Sequence, residues 1–152
     1  MNVTAAGDRL TPEELGAWRG MLEVHAGVTR ALDDEMRSEH GLPVSSYEVL
    51  MFLAAAPGHR LRMAEIADRV LLSRSGLTRL IDRLVELGYV TRCSVETDGR
   101  GAYAELTDAG QAKFRSAAQT HRGGIRRHFL DRLTAGDQAA LGDIWKRLRS
   151  AA

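Results

Sequence analysis

The sequence holds a single cysteine, Cys93, which excludes an intramolecular disulfide framework and fits a reducing compartment. No apolar run approaches the roughly 18 residues that a membrane-spanning helix needs. The opening stretch, MNVTAAGDRL, lacks the apolar core of a signal peptide, so a cytoplasmic protein is expected. There is no glycine-rich phosphate loop, no nucleophile elbow and no metal-ligand spacing. No enzymatic activity, no cofactor and no metal are therefore expected. Charge of one sign is also missing: the net charge is only +1, so bulk electrostatics announces no nucleic-acid partner. Lysine is nearly absent, since 19 of the 21 basic residues are arginine. Arginine suits bidentate contacts to phosphate and guanine. A GC-rich genome raises arginine everywhere, however, so its positions carry more meaning than its number.

What is present is one ordinary domain. The 152 residues, 44% apolar and 27% charged, have enough mass for a sizeable core. Thr11-Pro12-Glu13-Glu14 opens a long helix with a capping box and a proline in the first turn. Leu15, Trp18, Leu22, His25, Thr29, Leu32 and Met36 recur along it at spacings of three and four, widened by Met21, Val24, Val28 and Ala31. That apolar face is too broad for a surface helix of so small a protein. Ser45-x-x-Glu48 reads as the capping box of a second helix, with Tyr47, Leu50, Met51 and Leu53 turned inward. Met63 to Val70 is a short third helix.

The stretch from Ser73 to Gly110 carries the functional signal. Ser73 is a good N-cap for a fourth helix, and Gly88 supplies its left-handed stop. Leu77, Leu80, Ile81, Leu84 and Leu87 form one face; Arg74, Ser75, Thr78, Arg79, Asp82 and Arg83 lie largely on the other. Tyr89–Arg92 and Ala102–Leu106 read as paired strands around a polar, glycine-bearing tip, Glu96 to Gly101. Thr107-Asp108 starts a fifth helix to about Leu133, weakened or bent at Gly123-Gly124. Thr134-x-x-Asp137 caps a last helix with Leu141, Ile144, Trp145 and Leu148 on its inner face.

Short helices followed by a charged hairpin describe a winged helix-turn-helix. Its second helix enters the major groove. Ser75, Thr78 and Arg79 are placed to meet base edges. Ser73 and Arg74 are placed to meet phosphates, aided by the helix N-terminus. Arg83 either reaches the DNA backbone or pairs with Glu86 along its own helix. Arg100 on the hairpin tip can enter a minor groove, with Asp98 holding its guanidinium in a fixed pose.

At this point the chain resembles the MarR family of bacterial transcription factors, from about Thr11 to Leu148. The resemblance rests on LTRLIDRLVELGYV (Leu77–Val90), DGRG (Asp98–Gly101) and LTDAG (Leu106–Gly110). The family's Asp-x-Arg wing element is matched by Asp98 and Arg100. The wing lead-in, Cys93 to Thr97, departs from the family pattern because it lacks the usual prolines and asparagine. The resemblance implies a mainly α fold with a small β-hairpin wing, in which a winged lobe (about 45–106) joins dimerisation helices (about 11–40 and 107–151). It implies a homodimer that binds a pseudo-palindromic double-stranded DNA operator, more often as a repressor. It also implies a small aromatic or apolar ligand.

Other residues leave two readings open. Cys93 is either inert or a redox sensor, and a sensor thiol needs an electropositive setting. His25, His121 and His128 could approach one another, but their spacing alone is weak ground for a metal. Arg115, Arg122, Arg126, Arg127, Arg132 and Lys113 make the fifth helix basic, either for phosphate contact or as a solvated face or a partner for acids such as Asp33, Asp34 and Glu35. Trp18, Met21, Met51, Phe129 and Trp145 either line a ligand pocket or form plain core. A winged-helix module that binds protein rather than DNA is the alternative function.

Overall fold

The computed structural model describes residues 9–70, 73–94 and 101–150, with the side chains of Arg74 and Ser94 left outside. Helix α1 (Pro12–His40) is 29 residues long, about 44 Å. It begins with the expected capping box: Glu14 N donates to Thr11 Oγ1 at 3.2 Å, and Thr11 N donates to Glu14 Oε2 at 2.8 Å. Gly41 ends it in the left-handed conformation, φ 66°.

Helix α2 (Val44–Ala55) starts differently from the Ser45 capping box expected above. Its N-cap is Pro43, which has no side chain that can accept a bond. The orphan amide of Val44 instead donates to Asp33 Oδ1 of α1 at 2.8 Å. Burial alone would raise the Asp33 carboxyl, but hydrogen bonds from Arg37 and from Val44 N outweigh it and hold it low. The first helix thus supplies the cap of the second.

A three-residue strand, β1 (Arg60–Arg62), comes next, and no pairing signal in the sequence announced it. Helices α3 (Met63–Val70) and α4 (Arg74–Glu86) follow, then β2 (Val90–Ser94) and β3 (Ala102–Leu106). The sheet is antiparallel in the order β1-β3-β2, so the wing hairpin has a third strand at its side. Leu61, Val90, Ala104 and Leu106 share its inner face. They join Leu50, Leu53, Ile66, Leu77, Ile81 and Leu84 in one continuous core. Leu87, expected inside, is exposed because α4 has ended at Glu86.

Helix α5 (Asp108–His128) runs unbroken through Gly123-Gly124 and stops short of Leu133, giving way to a 3₁₀ turn at Leu130–Arg132. Gly124 serves packing. A Cβ at Gly124 would lie 2.5 Å from Leu32 Cδ2 and 2.8 Å from Glu35 Oε2, so a bare backbone lets α1 and α5 cross closely. At that crossing Glu35 accepts from Arg127 and from His128, each at 2.7 Å. These bonds, His128's foremost, hold its carboxyl below the ordinary value. The pairing expected for the basic fifth helix is therefore made by Arg127. A second small cluster, Met36, Tyr47, Ala117 and Ala118, packs α1, α2 and α5 together.

Helix α6 (Ala135–Ser150) is capped by Thr134 and Asp137, as expected: Asp137 N donates to Thr134 Oγ1 at 3.2 Å and Thr134 N donates to Asp137 Oδ2 at 2.9 Å. It has no buried residue. Trp145 and Leu148, expected on an inner face, are open in the single chain, as are Trp18, Met21, Leu22 and Val24 of α1. No helix among the described residues is long and apolar enough to cross a membrane.

Candidate nucleic-acid interface

Helix α4 is built to offer one face and hide the other. Leu77, Ile81 and Leu84 are buried, which fixes its rotation about its own axis. Ser75, Thr78, Arg79, Asp82 and Arg83, at spacings of three and four, are then left along the exposed side. Ser73 caps the helix: Gly76 N donates to its Oγ at 3.1 Å, and its hydroxyl lies 3.2 Å from that of Ser75. The structure therefore brings Ser73, Ser75, Thr78, Arg79 and Arg83 onto one outward stripe. Arg74 lies in the first turn by its backbone. Arg83 forms no ion pair among the described residues, so the pairing with Glu86 is not made. Asp98 and Arg100 lie outside the described residues.

The far end of α4 sets where the wing begins. Tyr89 N donates to Leu84 O and Gly88 N to Val85 O, each at 2.9 Å, with Gly88 at φ 76°. These two bonds close a Schellman turn that aims β2 away from the helix. Thr107 locks the other side of the hairpin, donating from Oγ1 to Gly88 O at 2.7 Å and accepting from Gly110 N at 3.0 Å. A Cβ at Gly110 would sit 2.1 Å from the Tyr89 carbonyl oxygen, so only glycine fits there. The Leu-Thr-x-x-Gly pattern is thus a joint between α5 and the end of α4.

Three charged groups that the sequence reading passed over also belong to this region. Arg92, on β2, reaches α4: its Nη2 lies 2.6 Å from Asp82 Oδ1 and donates to the Thr78 carbonyl at 3.4 Å. Arg60 and Arg62 of β1 both lie against the Tyr103 ring, at 5.7 and 5.2 Å from its centroid. Arg92 and Asp82 are ten residues apart on different elements, and no local pattern could pair them. The two β1 arginines were hidden with the strand that carries them. An open cleft of about 480 Å³ lies beside Arg92, lined also by Arg62, Met63, Leu77 and Thr78.

The remaining candidates fall outside this region. The Cys93 thiol donates to Glu105 Oε2 at 3.5 Å, an acidic partner rather than the electropositive one that a sensor needs. His128 is engaged by Glu35, His121 lies against the Tyr47 ring at 4.5 Å, and His25 is exposed on α1. Among the described residues no group of His, Cys, Asp or Glu could hold a metal ion. Trp18, Met21, Met51, Phe129 and Trp145 line neither the cleft beside Arg92 nor a second one between α1 and the end of α5.

Comparison with known proteins places this geometry. Residues 40–101 match a model of the MarR family. The structure superposes on AbsC, a MarR family transcriptional regulator from Streptomyces coelicolor, with a TM-score of 0.86 and 34% identity, covering 94% of this chain and 96% of that one. A second Streptomyces coelicolor MarR family regulator, solved in complex with DNA, gives a TM-score of 0.87 and 35% identity, covering 94% and 93%. Among curated relatives, the HTH-type transcriptional regulator PrsX of Escherichia coli is 30% identical over 73% of this chain. The match spans 57% of that relative's length.

Proposed function

Because this chain belongs to the MarR family of transcriptional regulators, we propose that it is a homodimeric, sequence-specific DNA-binding regulator, acting as a repressor. One observation carries this reading: the outward stripe Ser75, Thr78, Arg79 and Arg83, on a helix clamped into the core and followed directly by the wing. Ser75, Thr78 and Arg79 meet base edges in the major groove. Ser73, Arg74 and Arg83 meet phosphates, which supply affinity without sequence information. We propose that Arg100, with Asp98 two residues before it in the sequence, serves the adjacent minor groove.

The exposed apolar faces of α1 and α6 support a second copy as the partner. Two lobes related by a two-fold axis read half-sites about one helical turn apart. The cleft beside Arg92 supports a ligand-responsive regulator, since a small aromatic guest there would lie against the reading helix. Such a guest changes DNA affinity only by the difference in its own affinity for the two states.

Selection of sites from a random duplex pool, with the winner's affinity followed across salt, tests the reading. An enriched inverted repeat and a steep salt slope are expected. Arg79→Ala should then relax the base preference at one position of each half-site. No enrichment with a flat slope would overturn the reading and leave a winged helix that serves protein partners.

A further inference from the structure

The reading stripe of α4 contains one residue of the wrong sign. Asp82 follows Thr78 by one turn on the exposed side, three residues from Arg79 and next to Arg83. A bare carboxylate there would face the phosphates that the neighbouring arginines are placed to meet, and would repel them. The structure shows what becomes of that charge. Arg92 rises from the middle of β2, opposite the fully buried Ala104, and points to α4. Its Nη2 lies 2.6 Å from Asp82 Oδ1, and the same nitrogen donates to the Thr78 carbonyl at 3.4 Å. One guanidinium thus holds two points of the helix, a turn apart, from the strand that leads into the wing.

Building on the DNA reading above, we propose that Arg92 is a positioning residue for recognition. It ties the wing strand to α4, so that groove reading by the helix and by the wing share one geometry, and it cancels the Asp82 charge on the reading stripe. It does not itself contact DNA. Both partners are about half exposed, so the pair adds little to folding stability. Its effect belongs to binding, where a charge left uncompensated against phosphate is felt.

The test uses the full-length protein, its selected operator and two substitutions. Arg92→Ala should weaken operator binding roughly tenfold, within the range of coupling between contacting residues. Its salt slope should match that of the wild type, since no phosphate contact is lost. Adding Asp82→Asn to that variant should recover most of the affinity, because the uncompensated charge is then gone. In the free protein, Arg92→Ala should speed amide exchange in Val90–Ser94, with circular dichroism and melting temperature unchanged. A salt slope smaller by about one would make Arg92 a phosphate contact and overturn the proposal. So would failure of Asp82→Asn to recover binding. Unchanged exchange in Val90–Ser94 would remove the strut whatever the DNA result. Failure of the wild type to select any site would overturn the DNA reading instead, a separate outcome that the exchange measurement does not share.

Discussion

The winged lobe and the α1/α6 arm treat the same kind of residue in opposite ways. In the lobe, Leu50, Leu53, Ile66, Ile81 and Leu84 are wholly buried by their own chain. In the arm, Trp18 is 54% exposed and Leu148 is 56% exposed, and α6 buries nothing. The lobe is a closed core that fixes a polar stripe outward. The arm is an open apolar surface that only another surface can close. Between them, α1 and α5 are joined through Glu35, Arg127 and His128, and α1 caps α2 through Asp33. The placement of the lobe against α1, which carries part of the open face, is therefore held by these contacts.

The comparison breaks most sharply at the arm. Leu22→Asp with Leu148→Asp removes two leucines per copy, 46% and 56% exposed in the single chain, so each has about half of its burial left to gain, about 0.7–1.5 kcal/mol, or about 3–6 kcal/mol across a dimer. Light scattering at micromolar concentration should then report a monomer that keeps its helical circular dichroism. A dimer of undiminished affinity would mean that this face is not the contact. The next effect falls in the lobe. Ile81→Ala should cost about 2–5 kcal/mol in denaturant unfolding, through the cavity left in a closed core. A loss below about 1 kcal/mol would show that the core collapses around the gap and does not hold α4 rigidly.

The joint between the two regions responds less. Gly110→Ala drives a methyl against the Tyr89 carbonyl and should cost about 1–3 kcal/mol, because a backbone oxygen cannot step aside as a side chain can. An unchanged melting temperature would contradict the close approach there. The smallest effect is a dependence on pH. Burial against Tyr47 makes His121 give up its proton more readily than its ordinary value of about 6.5. With the folded value below the unfolded one, its contribution is complete above about pH 6.5 and shrinks as pH falls toward the folded value. His121→Phe should flatten the stability profile in that window. An unaltered profile would place the loss on other groups.

How much of this was legible in the sequence depends on the distance over which each feature acts. The α4 stripe, Ser73, Gly88, the Thr107 cap and the Thr134–Asp137 cap are decided within a few residues, and the pattern of side chains displays them. The β1 strand was hidden because a lone Leu61 between two arginines is too short for any alternation to register. The Asp33 cap was hidden because the acceptor comes from another helix, and Ser45 offered a plausible local substitute. Gly124 read as a weak point in a helix, since only the crossing with Leu32 and Glu35 reveals the need for a missing side chain. Arg92 and Asp82 each read as ordinary surface charges until β2 is laid beside α4. The breadth of the α1 stripe was legible as too much apolar surface for one chain, but which of it stays open was not.

The measurement that bears most directly on a lobe that reads and an arm that pairs is made on the selected operator itself. About 5 base pairs, half a helical turn, are inserted between its half-sites, and affinity is compared with the original. Two lobes held by one rigid arm should lose nearly all of their specific affinity, since the second half-site now faces away. Equal affinity for both duplexes would mean that each lobe binds alone, and would contradict the account.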